Sequence, residues 1–195
     1  MIAYIQGNIV ELTPTYVVLE NNQIGYHVNI SLHTYSQIQN SKTAKLFIYQ
    51  YLKESIYPTL YGFANPFEKK LFLQFISVSG VGTNTARMIL SSYSPTEIQQ
   101  AVISGDVALI KSIKGIGVKT AQRLIIELAD KFAKDENAPT SVAVSHNTNA
   151  NEALKALRSL GFAESAASKA IKKALQQQPD IDTVETLIKK SLKNL

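Results

Sequence analysis

The chain has 195 residues, with 20 Lys or Arg against 15 Asp or Glu, a formal net charge of +5. Cysteine is absent, which excludes disulfides, thiol catalysis and every Cys-ligated zinc site. There is no basic, apolar leader and no apolar run near the ~20 residues of a membrane span, so the expectation is a soluble, cytoplasmic protein of one to three small domains without membrane partners.

Charge is unevenly spread. Residues 1–63 hold three cations and three acids, 64–134 nine and five, 135–149 none and two, and 150–195 eight and five. The excess in the middle segment suits a polyanionic partner. In the last segment a solvated helix face is the simpler reading.

Residues 1–63 alternate apolar and polar side chains in short β-branched or aromatic runs: Ala3 to Leu12, Thr15 to Glu20, Tyr26 to Ile30, Ala44 to Tyr51 and Thr59 to Phe63. Polar clusters such as Asn21-Asn22 separate them, which predicts about five strands. Five short strands with one longer excursion, Ser31 to Lys42, suggest a small closed barrel of the OB type. Eight of the nine tyrosines fall here, and packing of a small β domain accounts for them as well as base stacking would.

At Asn65 the period becomes helical. Asn65-Pro66-Phe67-Glu68 combines an N-cap, a proline at the first helical position and a Glu placed for a capping box, followed by a stripe of Phe67, Leu71, Phe75 and Val78. Ser94-Pro95-Thr96-Glu97 repeats that start signal, and Gly105-Asp106 ends one helix and caps the next.

One pattern is written twice, 35 residues apart. Val78, Gly80-Val81-Gly82, Ala86 and Ile89 recur as Ile113, Gly115-Ile116-Gly117, Ala121 and Leu124. Each copy predicts a helix, a tight turn and a second helix. The glycines tolerate positive φ and close approach by another backbone, and the alanine lets the helices cross closely. The free N–H groups at the start of the second helix, with its dipole, form an anion site that needs no particular side chain. Six matched positions per copy mark tandem helix-hairpin-helix motifs, which grip nucleic-acid backbone without reading sequence. The candidate DNA-binding residues are Gly80, Val81, Gly82, Thr83, Asn84 and Thr85 in the first motif, and Lys114, Gly115, Ile116, Gly117, Val118, Lys119, Thr120 and Arg123 in the second. A P-loop is excluded because Val118 separates Gly117 from Lys119-Thr120, and a dinucleotide fingerprint because the third glycine and the preceding strand are missing.

The second helix of the second motif should run to about Lys131, burying Leu124, Leu128 and Phe132. Residues 135–149 lack periodicity and read as a flexible linker. Three short amphipathic helices follow, Glu152 to Leu160, Ala163 to Gln176 and Thr183 to Leu192. Leu160-Gly161-Phe162 at their first joint resembles the apolar loop of ubiquitin-associated-type domains, so Leu157, Leu160, Gly161 and Phe162 are candidates for a partner surface. The fold class expected is therefore multidomain α+β, with an OB-type five-stranded barrel over 1–63, an all-α tandem helix-hairpin-helix domain over 64–134, a linker over 135–149 and a three-helix domain over 150–195.

A barrel ending in Leu60-Tyr61-Gly62-Phe63, the stretches Val78 to Leu90 and Ile113 to Leu128, a loose linker and a three-helix domain together resemble the RuvA family of Holliday-junction-binding proteins along the whole chain. The resemblance implies a homotetramer that holds a four-way junction on a basic face, one or two tetramers per junction. It also implies a third domain that engages a hexameric AAA+ ATPase of the RuvB type, with a RuvC-type resolvase as a further candidate partner. Such a subunit has no catalytic centre and needs no cofactor; ATP is hydrolysed by the partner. The family's acidic pin at the junction centre uses an adjacent acidic pair, whereas Tyr51-Leu52-Lys53-Glu54-Ser55-Ile56-Tyr57-Pro58 offers Glu54 with Ser55 beside it. The three histidines, His27, His33 and His146, form no metal or triad grouping. The alternative is a repair enzyme subunit of glycosylase or nuclease type, for which Asp130 is the nearest candidate acid; an ion pair with Lys131 and Lys134 is its simpler reading.

Overall fold

The structure is a computed structural model; it describes residues 1–52, 57–133, 145–178, 181 and 183–195, with the backbone alone at 130, 133 and 145–148. The chain divides into two compact units, 1–136 and 137–195.

The first unit opens with strands β1 (Tyr4–Leu12), β2 (Tyr16–Asn21) and β3 (Ile24–Asn29), helix α1 (Leu32–Ile38), then β4 (Thr43–Tyr51) and β5 (Thr59–Phe63). They close into a barrel in the order β1-β2-β3-β5-β4. Every pairing is antiparallel except β3 with β5, which is parallel. The expected OB-type architecture is therefore present, and the excursion between β3 and β4 holds α1. Asn22 and Gln23 both take positive φ, 50° and 63°, in the two-residue turn where Asn21 pairs with Ile24. That turn matches the twist of β2 and β3.

Alternation places Val17 and Leu19 of β2, and Ala44, Leu46 and Ile48 of β4, inside the barrel with Ile5, Val28 and Ile30, while Ile38 of α1 packs with them. Gly62 of β5 leaves no room for a side chain inside the barrel unless its neighbours shift. A Cβ there would lie 2.5 Å from Val28 Cγ1 and 3.0 Å from Leu46 Cδ1. The glycine of the Leu-Tyr-Gly-Phe stretch thus belongs to barrel packing.

Helices α2 (Pro66–Ile76), α3 (Thr83–Ser92), α4 (Pro95–Ser104), α5 (Val107–Ser112) and α6 (Val118–Ala133) complete the first unit. Their core is continuous with the outer side of β5: Tyr61 and Phe63 belong to the same buried cluster as Leu71, Phe72, Phe75, Ile89, Ile98, Ile110, Leu124 and Leu128. Phe72 is the hub, its ring centroid 4.9 Å from Phe63, 5.3 Å from Tyr61 and 5.6 Å from Tyr49.

The helix signals act as expected at Asn65, whose Oδ1 accepts from Glu68 N at 2.8 Å, and at Ser94, which forms a full capping box with Glu97. Gly105 ends α4 at φ +72°, and Asp106 caps α5. Glu68 differs from expectation. Its carboxylate does not turn back to the cap; it is fully buried and accepts from the Ser31 and Thr34 hydroxyls at the start of α1. Helix α2 is buried on a wider arc than one stripe, because it faces both the barrel and the other helices.

The second unit contains α7 (Ser145–Ser159), α8 (Glu164–Gln177) and α9 (Val184–Leu192) around Ala153, Leu157, Ala167, Ile171, Ala174, Ile181 and Leu187. Helix α7 starts inside the segment expected to be linker. Its first two turns carry no large apolar residue, so periodicity gives no signal for them. The rest of the expected linker lies outside the described residues.

Candidate nucleic-acid interface

The two glycine turns have the same local geometry. Gly80 and Gly115 each have φ of +90°. Val81 N donates to Val78 O at 3.0 Å, as Ile116 N does to Ile113 O at 3.1 Å. In each copy the first helical acceptor is the second glycine, with Ala86 N to Gly82 O and Ala121 N to Gly117 O both at 2.9 Å. The preceding N–H groups, those of Thr83, Asn84 and Thr85 and of Val118, Lys119 and Thr120, lie before that first bond and open the helix dipole.

The structure corrects the role expected of the glycines. Left-handed backbone is needed only at Gly80 and Gly115; Gly82 caps α3 at φ −86°. Neither Gly82 nor Gly117 has any atom within 4 Å of where a Cβ would stand. Nothing inside the chain forbids a side chain there, so the bare surface at the helix start is available to an incoming group.

Val81 and Ile116 are 5% and 6% exposed, with their side chains in the helical core, so only their main chain can meet a ligand. Ala86 and Ala121 are fully buried where the helices cross. Thr83 is buried, its hydroxyl accepting from Tyr61 OH at 3.0 Å. Asn84, Lys114 and Lys119 are exposed. Arg123 is exposed and joined through Nε to Glu127 Oε1 at 2.7 Å, one turn further along α6. Lys111, exposed in the last turn of α5 on the approach to the second turn, is absent from the expected set. Its signal was its place three residues before Lys114. The second turn therefore gathers Lys111, Lys114 and Lys119, while the first is flanked by Ser79, Thr83 and Asn84.

Lys131 Nζ donates to Ser77 Oγ at 3.2 Å, bracing α6 against the end of α2. Its expected pairing with Asp130 involves a side chain outside the described residues, as do Lys134, Glu54 and Ser55. Among the described residues no group of His, Asp and Glu could hold a metal ion, and no helix is long and apolar enough to cross a membrane.

In the second unit Leu160 is 61% and Phe162 37% exposed around Gly161, which takes φ +96°. Leu157, expected on the same surface, is instead fully buried in the three-helix core. It faces inward because it stands one helical turn from Ala153, which is buried too.

Barrel, paired glycine turns and shared core define a tandem helix-hairpin-helix protein built on an OB-type barrel. Family models agree in order along the chain: the RuvA N terminal domain matches residues 1–62, the SAM-like helix-hairpin-helix tandem 72–130 and the RuvA C-terminal domain 148–195. Proteins named Holliday junction branch migration complex subunit RuvA are similar over the whole chain. Those of Flavobacterium psychrophilum and Christiangramia forsetii are 51% and 48% identical, and that of Bacteroides fragilis 47%, each with full coverage of both chains. The chain belongs to the RuvA family.

Proposed function

We propose that this protein binds four-way DNA junctions without regard to base sequence and adapts them to a hexameric ATPase that drives branch migration in recombination and repair. The observation that carries the reading is the pair of equivalent turns, each ending in a helix start with free N–H groups and no atom within 4 Å of the second glycine's missing Cβ. Main-chain N–H groups and lysines see phosphate alone, which gives affinity without base readout. The names of the full-length relatives support the same activity and do not favour the repair-enzyme alternative.

On this reading the phosphate contacts come from Gly80 to Thr85 and from Lys114 to Thr120, joined by Arg123. The first turn grips through main chain and the second adds Lys114 and Lys119. The protein acts in the cytoplasm as a homotetramer, with one or two tetramers on a junction. Leu160, Gly161 and Phe162 form the contact for a RuvB-type ATPase, with a RuvC-type resolvase sharing the junction. Catalysis belongs to those partners. Glu54, with Ser55 beside it, supplies a thinned acidic pin at the junction centre.

A gel shift at one salt concentration, comparing a four-way junction with duplex and single strand of equal length, tests the reading. Selective retention of the junction supports it. Equal retention of duplex, after correction for length, rejects it.

A further inference from the structure

The two motifs are copies, yet equivalent positions are used differently. Thr83 and Arg87 of α3 correspond to Val118 and Gln122 of α6, both of which are exposed. In the first motif these positions bind the barrel. Tyr61 OH of β5 donates to Thr83, and the Arg87 guanidinium donates from one nitrogen to Thr15 O at 3.1 Å and to Asn29 Oδ1 at 3.0 Å. Asn29 is itself fixed, donating to Leu60 O at 3.2 Å. Three more hydrogen bonds join the same motif to the barrel side: Leu32 N donates to Ser91 Oγ at 3.1 Å, and buried Glu68 accepts from the Ser31 and Thr34 hydroxyls.

A cation in the helix that follows a glycine turn reads from sequence as a phosphate ligand, but Arg87 is half-buried and turned onto Thr15, just before β2, and Asn29 of β3. We propose that Arg87 is a positioning residue: with its barrel partners it fixes the angle of the first hairpin, and that fixed angle sets the preference for branched over linear DNA. The inference rests on the junction-binding reading above.

Preorganisation of the hairpins is what discriminates branched from linear DNA. A linear duplex engages a hairpin whatever its angle to the rest of the protein. Arms that diverge from one point are held together only when several hairpins already stand at matching angles, because each later contact is then intramolecular. Loosening the first hairpin's polar hold on the barrel reduces that gain on the junction and leaves contact with duplex intact.

The test uses the full chain with Arg87→Ala, Asn29→Ala and the double variant, measuring dissociation constants for a junction and for a duplex of equal length at one salt concentration. Each single change should weaken junction binding by roughly three- to tenfold and duplex binding by less than about twofold. The double variant should be no worse than the poorer single, since both remove one strut. Asn29→Asp keeps an acceptor for Arg87 and should retain the preference.

If Arg87→Ala weakens junction and duplex alike while Asn29→Ala changes neither, Arg87 is a phosphate ligand and the inference is overturned. Unchanged ratios in every variant overturn it as well, with the junction-binding reading intact. A wild-type protein without junction preference defeats that reading itself, and the inference with it.

Discussion

Thr34 of α1 donates a 2.7 Å hydrogen bond to Glu68 of α2 in the fully buried space between barrel and helices. The same hydroxyl accepts from Ala64 N at 3.2 Å, and the carboxylate also takes the Ser31 hydroxyl. A buried carboxylate is tolerated because its oxygens are satisfied by donors that the α1 cap already holds in place. Thr34→Val should therefore cost about 1–3 kcal/mol in a denaturant titration, and Glu68→Ala more, since it leaves two buried hydroxyls without their acceptor. A loss below 0.5 kcal/mol for both, on the order of an ordinary surface change, would contradict this role.

The two glycines of each turn should separate folding from binding. Gly115→Ala forces a Cβ into left-handed backbone and should destabilise the first unit by about 1–2 kcal/mol. Gly117→Val meets open space within the chain and should leave the melting temperature close to wild type. It should nonetheless weaken junction binding more than removal of any single lysine, by holding phosphate away from the helix start. Normal junction affinity in Gly117→Val would show that phosphate sits elsewhere.

Leu157 and Leu160 should part in the same way. Leu157→Ala empties a site in the small three-helix core and should cost about 2–4 kcal/mol of that unit's stability. Leu160→Ala and Phe162→Ala act on exposed side chains and should shift stability by less than about 0.5 kcal/mol. Their effect should appear in ATP-driven branch migration with the partner ATPase, and unimpaired migration by the double variant would remove this loop from the contact.

Hydrogen bonds from Ser94 hold the Glu97 carboxyl below its ordinary pKa. A depressed carboxylate contributes stability that is present above the unfolded value of 4.5 and lost as pH falls through the folded value. The melting-temperature gap between wild type and Ser94→Ala should thus be widest near neutrality and narrow below about pH 4.5. A gap independent of pH would show that Ser94 acts without the carboxylate.

The parts of the fold legible in sequence are those with local signals. Strand alternation in β2 and β4, the caps at Asn65 and Ser94, and the repeated glycine turns each depend on residues a few positions apart. What escaped depends on distant partners. Glu68 fits a capping box by spacing, but the Ser31 and Thr34 hydroxyls, more than 30 positions earlier, draw it into the interior. Phe72 lies off the expected stripe because α2 has two neighbours to bury against. At the candidate interface the positions were legible while their division was not. Sequence marks Gly117 and Val81 alike, and the fold leaves one bare at the surface and turns the other's side chain into the core.

The central claim, a grip on phosphate that favours branched DNA and ignores base sequence, is tested most directly by competition. A labelled four-way junction bound to the full chain is challenged with unlabelled junctions of unrelated sequence and with duplex of equal length, across a series of salt concentrations. The account predicts equal displacement by every junction, much weaker displacement by duplex, and an affinity that falls linearly in log Kd against log salt. Displacement that depends on base sequence, or duplex competing as well as junction, would contradict it.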